Sequence, residues 1–251
     1  MQTSPHTHFV SQVDAYNFVL QCLSFCGLAS TPQLARVYAH RKEPTKRISS
    51  VLGYLAERGY IESRRGFHNE PNLYRLTAKI RNKYGVRGIR WDRRIEHKLA
   101  LTETYLDLDC PPYFYREYRQ TFRWMNQTLI LAPDAVCKVG DRYLYLEVQR
   151  TSIESVRWAE KRRNYERYFA TGAWVETFQS KPEVLVVQYA NQLESTIGIA
   201  SNYTLHVISA EEVAQFGVYL RAREDDTICG QGSRQEQMGK GDAEERADLW
   251  R

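Results

Sequence analysis

The stretch that most restricts the fold is Asp134–Gln149, two runs of alternating polarity joined by Gly140-Asp141. Gly-Asp suits a two-residue type II′ turn, because glycine accepts the positive φ of the first central position. That turn sets Val139 opposite Arg142, and counting outward sets Asp134 opposite Glu147. With a period of two, Ala135, Cys137, Val139, Leu144, Leu146 and Val148 share one face, the expected core face. Asp134, Val136, Lys138, Tyr143, Tyr145, Glu147 and Gln149 share the other. Directly opposed carboxylates, with Cβ atoms about 4.5–5.5 Å apart, repel each other. A divalent cation reverses that sign. Mg²⁺ takes one or two carboxylates together with waters and phosphate oxygens, and polarises a phosphate while activating water. Asp134 and Glu147 are therefore candidate ligands of Mg²⁺ or Mn²⁺. The competing structural reading is an ion pair between Glu147 and Lys161 of the following segment.

The N-terminal part has helical periodicity. Val13, Tyr16, Val19, Leu20 and Leu23 recur at helical spacing in Ser11–Phe25, with Gly27 as a stop. A second helix is expected from Thr31-Pro32, with Thr31 as N-cap, to about Tyr38. A third is expected from Thr45 to Gly59, with Ile48, Leu52 and Leu55 on one face and Lys46, Arg47, Ser49 and Ser50 on its polar side. Tyr60–Arg65 and Leu73–Leu76 read as two short strands around a turn-rich Gly66–Asn72. Three helices followed by a two-stranded wing is the winged helix-turn-helix order, and Thr31–Leu34, Ser50–Leu55 and Leu73–Thr77 resemble that pattern. The resemblance implies a recognition helix carrying Lys46, Arg47, Ser49 and Ser50, with Arg64 and Arg65 on the wing facing double-stranded DNA.

Charge supports that partner. Residues Arg36 to Lys98 hold 17 Lys and Arg against 6 Asp and Glu, a net +11 inside a chain whose total is +5. A basic block on one module is the electrostatic footprint of phosphate binding. The five cysteines are odd in number and scattered, which points to a reducing cytoplasm. Cys22 and Cys26 lie one helical turn apart without a second Cys/His pair to complete a zinc site, so buried free thiols are expected. No apolar run reaches the length of a membrane span, and Met1–His8 lacks the pattern of a signal peptide.

Ile80–Arg94 reads as a basic connector. Beyond it, Ile95, Leu99, Thr102 and Leu106 form a helical stripe ending at Asp107–Pro112. Strand-like runs follow at Tyr113–Tyr118, Thr128–Val139 and Tyr143–Val148. A long helix is expected over Ile153–Phe169, then strands at Val184–Tyr189 and Thr204–Ile208. Arg223–Arg251 reads as a disordered tail. The expected organisation is residues 9–79 as the DNA-binding domain, 80–94 as connector, 95–222 as a second domain and 223–251 as tail.

Pro133-Asp134 followed across a hairpin by Glu147-Val148-Gln149, with helices on both sides, resembles the PD-(D/E)XK nuclease superfamily. Its helix, three strands, helix, strand order falls on about Arg93–Ser209. The resemblance implies an α+β fold with a mixed sheet, metal ligation by Asp134 and Glu147, and a catalytic role for Gln149 where the superfamily usually has lysine. Glutamine can orient water but brings no positive charge. Lys161 or Arg162 of the next helix is the substitute cation, and Glu103, with Glu96 as competitor, is a further acid. The whole chain more specifically resembles the replication-relaxation family, through His97–Leu101, Ala132–Asp134, Leu146–Val148 and Lys161 with Tyr165. That implies a DNA-binding accessory of plasmid or mobile-element replication and transfer, meeting replication or relaxase machinery. An active metal-dependent DNA endonuclease and a winged-helix transcriptional regulator are the alternatives.

Overall fold

The computed structural model describes residues 12–39, 47–65, 70–92, 94–150, 155–189, 198–200 and 202–229. Its first part is α1 (Gln12–Cys26), β1 (Ala29–Ser30), α2 (Thr31–Ala39), α3 (Ile48–Glu57), β2 (Ile61–Arg64), β3 (Leu73–Leu76) and α4 (Ala78–Tyr84). The three strands form an antiparallel sheet in the order β1-β3-β2. Strand β1, too short to leave a periodic signal, joins by pairing Ala29 with Tyr74 and Ser30 with Leu73. Helix α1 stops at Gly27, whose φ of +75° suits a left-handed cap. The N-cap of α2 is one residue earlier than the sequence suggested. The Ser30 N–H donates to Gln33 Oε1 at 3.0 Å while Ser30 Oγ accepts the Gln33 N–H at 3.4 Å, a reciprocal capping box. The start expected for α3 at Thr45 lies outside the described residues; Val51, Leu52 and Leu55 are its buried face.

The second part is α5 (Ile95–Asp107), β4 (Tyr113–Arg116), β5 (Gln120–Trp124), β6 (Gln127–Leu131), β7 (Ala135–Val139), β8 (Arg142–Gln149), α6 (Ser155–Thr171), β9 (Glu183–Gln188), β10 (Gly198–Ala200), β11 (Tyr203–Ser209) and α7 (Val213–Cys229). Six strands form a mixed sheet, β10-β11-β9-β8-β7-β4, in which β8, β9 and β11 run parallel. The fold is mixed α+β, with seven helices among the described residues. The run expected as one strand over Thr128–Val139 divides at Ala132-Pro133-Asp134. Strand β6 pairs with β5 in a separate hairpin, and only β7 enters the large sheet. Helix α7 carries the backbone through residues 223–229 of the expected tail; 230–251 lie outside the described residues.

Both faces of the large sheet are covered. Ala135, Cys137, Val139, Leu144, Leu146 and Val148 share a core with Leu101 and Tyr105 of α5 and Leu220 of α7. On the other face, Val136, Tyr145, Val184 and Val186 pack with Tyr165, Tyr168 and Phe169 of α6. The first of these cores continues without a break into α1, α2 and α3. Polar contacts cross the same seam: Thr102 Oγ1 donates to Leu28 O at 2.6 Å, and Gln33 Nε2 donates to Leu99 O at 3.0 Å. The segment read as a connector takes part in this packing. Ile80 is buried in the shared core, Ile89 packs on Leu28 and Leu73, and Arg75 lies 4.5 Å from the Trp91 ring centroid.

Candidate functional site

The hairpin has the register that its turn dictates. Gly140 sits at φ +59°, Val139 pairs with Arg142 and Ala135 with Leu146. Asp134 stands one residue before β7, so its expected pairing with Glu147 is not part of the ladder; its N–H donates at 3.0 Å to Leu146 O, of the residue that Ala135 already opposes. Its carboxylate turns back along the sheet: Oδ2 accepts the Val148 N–H at 2.9 Å, and Oδ1 lies 3.1 Å from Nε2 of His97 on α5. Burial works against the Asp134 charge, but His97, the Val148 N–H and the nearby Lys161 outweigh it and hold the carboxyl below its ordinary range.

Glu147 faces α6. It is 1% exposed, yet both of its oxygens are occupied: Lys161 Nζ pairs with Oε2, and Tyr165 Oη donates to Oε1 at 2.6 Å. Lys161 and Tyr165 are four residues apart and therefore stack on one side of the helix. Burial pushes the Glu147 carboxyl up to about 7; Lys161 pulls it down and the Asp134 charge pushes it further up. The two carboxylates are thus strand neighbours bound to different helices. Among the described residues, no three His, Cys, Asp or Glu side chains come together as a metal-binding group.

Gln149, on the Glu147 side, is 7% exposed and pairs in register with Gln188 on β9, itself 8% exposed. Neither Nε2 finds a partner among the described residues. Glu103 is placed elsewhere: it binds Arg36 and accepts from Gln33 Nε2 at 2.8 Å, joining α5 to α2. Glu96 pairs with Arg150. His97 and Tyr165, which bind the two carboxylates, carried no sequence signal beyond their membership of the family-like runs. Their competing readings are a helix-surface or core residue for His97 and helix-on-sheet packing for Tyr165. Cys22 and Cys26 are buried neighbours with Sγ atoms 4.0 Å apart, and burial raises the Cys26 thiol well above its ordinary range.

In the N-terminal part, Arg47 holds the N-cap position of α3 in extended backbone, and Ser49 and Ser50 are exposed on its first turn. Lys46 lies outside the described residues. Arg64 and Arg65 are exposed at the end of β2, with the Arg64 guanidinium 5.9 Å from the Trp91 ring centroid.

No curated protein matches this chain. A crystal structure of protein VC1899 from Vibrio cholerae is similar at 10% identity and a TM-score of 0.34, over 86% of this chain and 57% of that one. This chain therefore spans little more than half of that protein, and the likeness is too weak to carry an argument. The replication-relaxation family model matches residues 20–184, from within α1 to the start of β9 and so across both parts of the molecule. The chain belongs to the replication-relaxation family.

Proposed function

We propose that this protein is a DNA-binding accessory of plasmid or mobile-element replication and transfer. In this reading its first part is a winged helix-turn-helix, and its second is a PD-(D/E)XK-like body that grips DNA without metal-dependent cleavage. The observation that carries the proposal is the exposed polar first turn of α3 (Arg47, Ser49 and Ser50), together with exposed Arg64 and Arg65 on the adjoining sheet. These residues belong to the segment of net +11. Arginine and short polar side chains at the start of a recognition helix suit base edges and phosphates of a major groove. The family membership supports a replication role. No helix among the described residues is long and apolar enough to cross a membrane.

The carboxylate pair does not fit a Mg²⁺ or Mn²⁺ site as arranged. Each of the four oxygens already meets a protein donor, and a lysine occupies the charge-neutralising role that an ion would take. One observation favours the endonuclease reading: Asp134, Glu147 and Lys161 converge as acid, acid and lysine, with Gln149 in the register position beyond Glu147. Two measurements test the proposal. Fluorescence anisotropy on labelled duplex DNA should show that Lys46→Ala with Arg47→Ala weakens binding and flattens its salt dependence by up to about two units. Unchanged binding in that folded variant moves the DNA contact elsewhere. Supercoiled plasmid should stay intact with Mg²⁺ or Mn²⁺; cleavage that Glu147→Ala abolishes would establish the endonuclease instead.

A further inference from the structure

We propose that the cleft at the seam between the N-terminal helices and the mixed sheet binds a phosphate group, recognised by Arg94, Arg116 and Arg119. The cleft is a cavity of about 310 Å³, bounded by the end of α1, the segment leading into α5, the turn after β4, and Ala132–Asp134. Five Lys and Arg side chains line it against two carboxylates. Both carboxylates are engaged: Glu117 with Arg87 at 3.6 Å, and Asp134 with His97 and the Val148 N–H. Lys98 is engaged too, donating to Asp92 and to Arg90 O. Arg94, Arg116 and Arg119 form no ion pair among the described residues, so the lining is left with unspent positive charge.

Arg116 is the telling member. Its Nε donates to Phe25 O at the end of α1, which fixes the side chain in the seam without neutralising it. The guanidinium lies against Gly27, where an added Cβ would collide with Nη1. The backbone thus leaves room for an arginine at a place where burial depresses its pKa and the nearby Glu117 charge, which forms its ion pair with Arg87, offsets that only in part. An isolated cation taken out of water is costly unless an anion joins it. Planar guanidinium groups from several directions suit a tetrahedral phosphate, which accepts paired hydrogen bonds from each. The phosphate comes either from a DNA backbone or from a free nucleotide. The first source rests on the DNA-binding reading above, while the second stands without it.

The test uses the full chain. Arg94 and Arg119 are exposed, so Arg94→Ser with Arg119→Ser should fold, as circular dichroism will verify. Millimolar inorganic phosphate should raise the melting temperature of the unaltered protein by several degrees over chloride or acetate at equal ionic strength. The double variant should lose most of that rise. Where the backbone is the source, duplex DNA suppresses the phosphate response, and the double variant lowers the salt slope of DNA binding by about two units. Where a nucleotide is the source, a deoxynucleoside monophosphate reproduces the response with DNA still bound. A phosphate response in a protein that binds no DNA would sink the DNA-binding reading and leave the cleft standing. No response beyond chloride, or an equal response in the double variant, overturns the site.

Discussion

Toward α5, the β7–β8 hairpin presents only Ala135, Cys137, Val139, Leu144, Leu146 and Val148; toward α6 it presents Val136, Tyr145, Glu147 and Gln149. Both faces are buried. The first is held by shape and area, since any apolar set of the right volume satisfies it. The second must satisfy each polar group individually. Tyr145 Oη meets Tyr168 Oη at 2.7 Å, Tyr168 Oη donates to Gln120 Oε1 at 2.6 Å, and Glu147 takes Tyr165 and Lys161. The α5 face therefore accounts for stability, whereas the α6 face fixes which residue meets which.

The largest expected effect breaks the apolar face. Leu146 is fully buried, and Leu146→Ala should cost about 3 kcal/mol in urea denaturation through lost burial and a residual cavity. A cost under about 1 kcal/mol would show that this face repacks freely.

A smaller effect, with a pH signature, belongs to the polar face. Because Glu147 has a folded-state pKa near 7, above its unfolded value, its protonated form favours folding. That contribution is complete below the unfolded pKa and is lost as pH rises through about 7. Lys161 limits the loss by pairing with the ionised form. Lys161→Met should therefore be nearly neutral at about pH 5 and cost about 2 kcal/mol at about pH 8. The usual cost of halving a buried pair is discounted here because Lys161 is 36% exposed. Equal destabilisation at both pH values would mean that Lys161 acts by packing alone.

What the sequence made legible follows the same division. Alternation around Gly140-Asp141 separates the two faces within β7 and β8, because the period of a strand is set by its backbone. Asp134, which the same count sets beside Glu147, stands before β7 and meets His97 of α5 instead. The aromatic residues Trp158, Tyr165, Tyr168 and Phe169 point to a helix packed on the sheet, and the structure sets them over the Glu147 face. Of the carboxylates' partners the sequence offers Lys161 for Glu147, which the structure bears out; the bonds from Tyr165 to Glu147 and from His97 to Asp134 are made only by the tertiary fold. Short elements escaped for a local reason. Strand β1 has two residues and β10 three, too few to show a period. Composition marks Ile80–Arg94 as basic but does not show that Ile80 and Ile89 anchor it by burial.

That anchoring leads to a third, weaker test, on the seam between the two parts. Thr102→Val removes one hydrogen bond across it and should cost about 1 kcal/mol, whereas Gln33→Ala removes two, together with the α2 capping contact, and should cost about 2 kcal/mol. Unfolding should stay a single transition followed by both circular dichroism and tryptophan fluorescence. Limited proteolysis within Ile80–Arg94 should not release a fragment that folds alone. Two separated transitions would restore a two-domain picture with a loose connector.

The smallest expected effect is also the most diagnostic, because it compares Asp134 with Glu147 directly. If the two carboxylates are satisfied by protein donors, Glu147→Gln at neutral pH should change stability by less than about 1 kcal/mol. Glutamine keeps an acceptor for Tyr165, and partly exposed Lys161 can return to water. The pH dependence assigned to Glu147 should vanish with the substitution, while the acid-side loss due to Asp134 should persist. Asp134 has a lowered pKa, so its contribution is present above its unfolded value and lost as pH falls through the folded one. Mg²⁺ and Mn²⁺ should leave the melting temperature unchanged in both proteins, because an ion would have to displace Lys161 from Glu147. A rise in melting temperature with Mg²⁺ that Glu147→Gln removes would overturn this, since a ligand bound only by the folded state stabilises it by mass action. The pair would then be a cation site whose lysine yields to metal, and the difference between the two faces would be catalytic rather than structural.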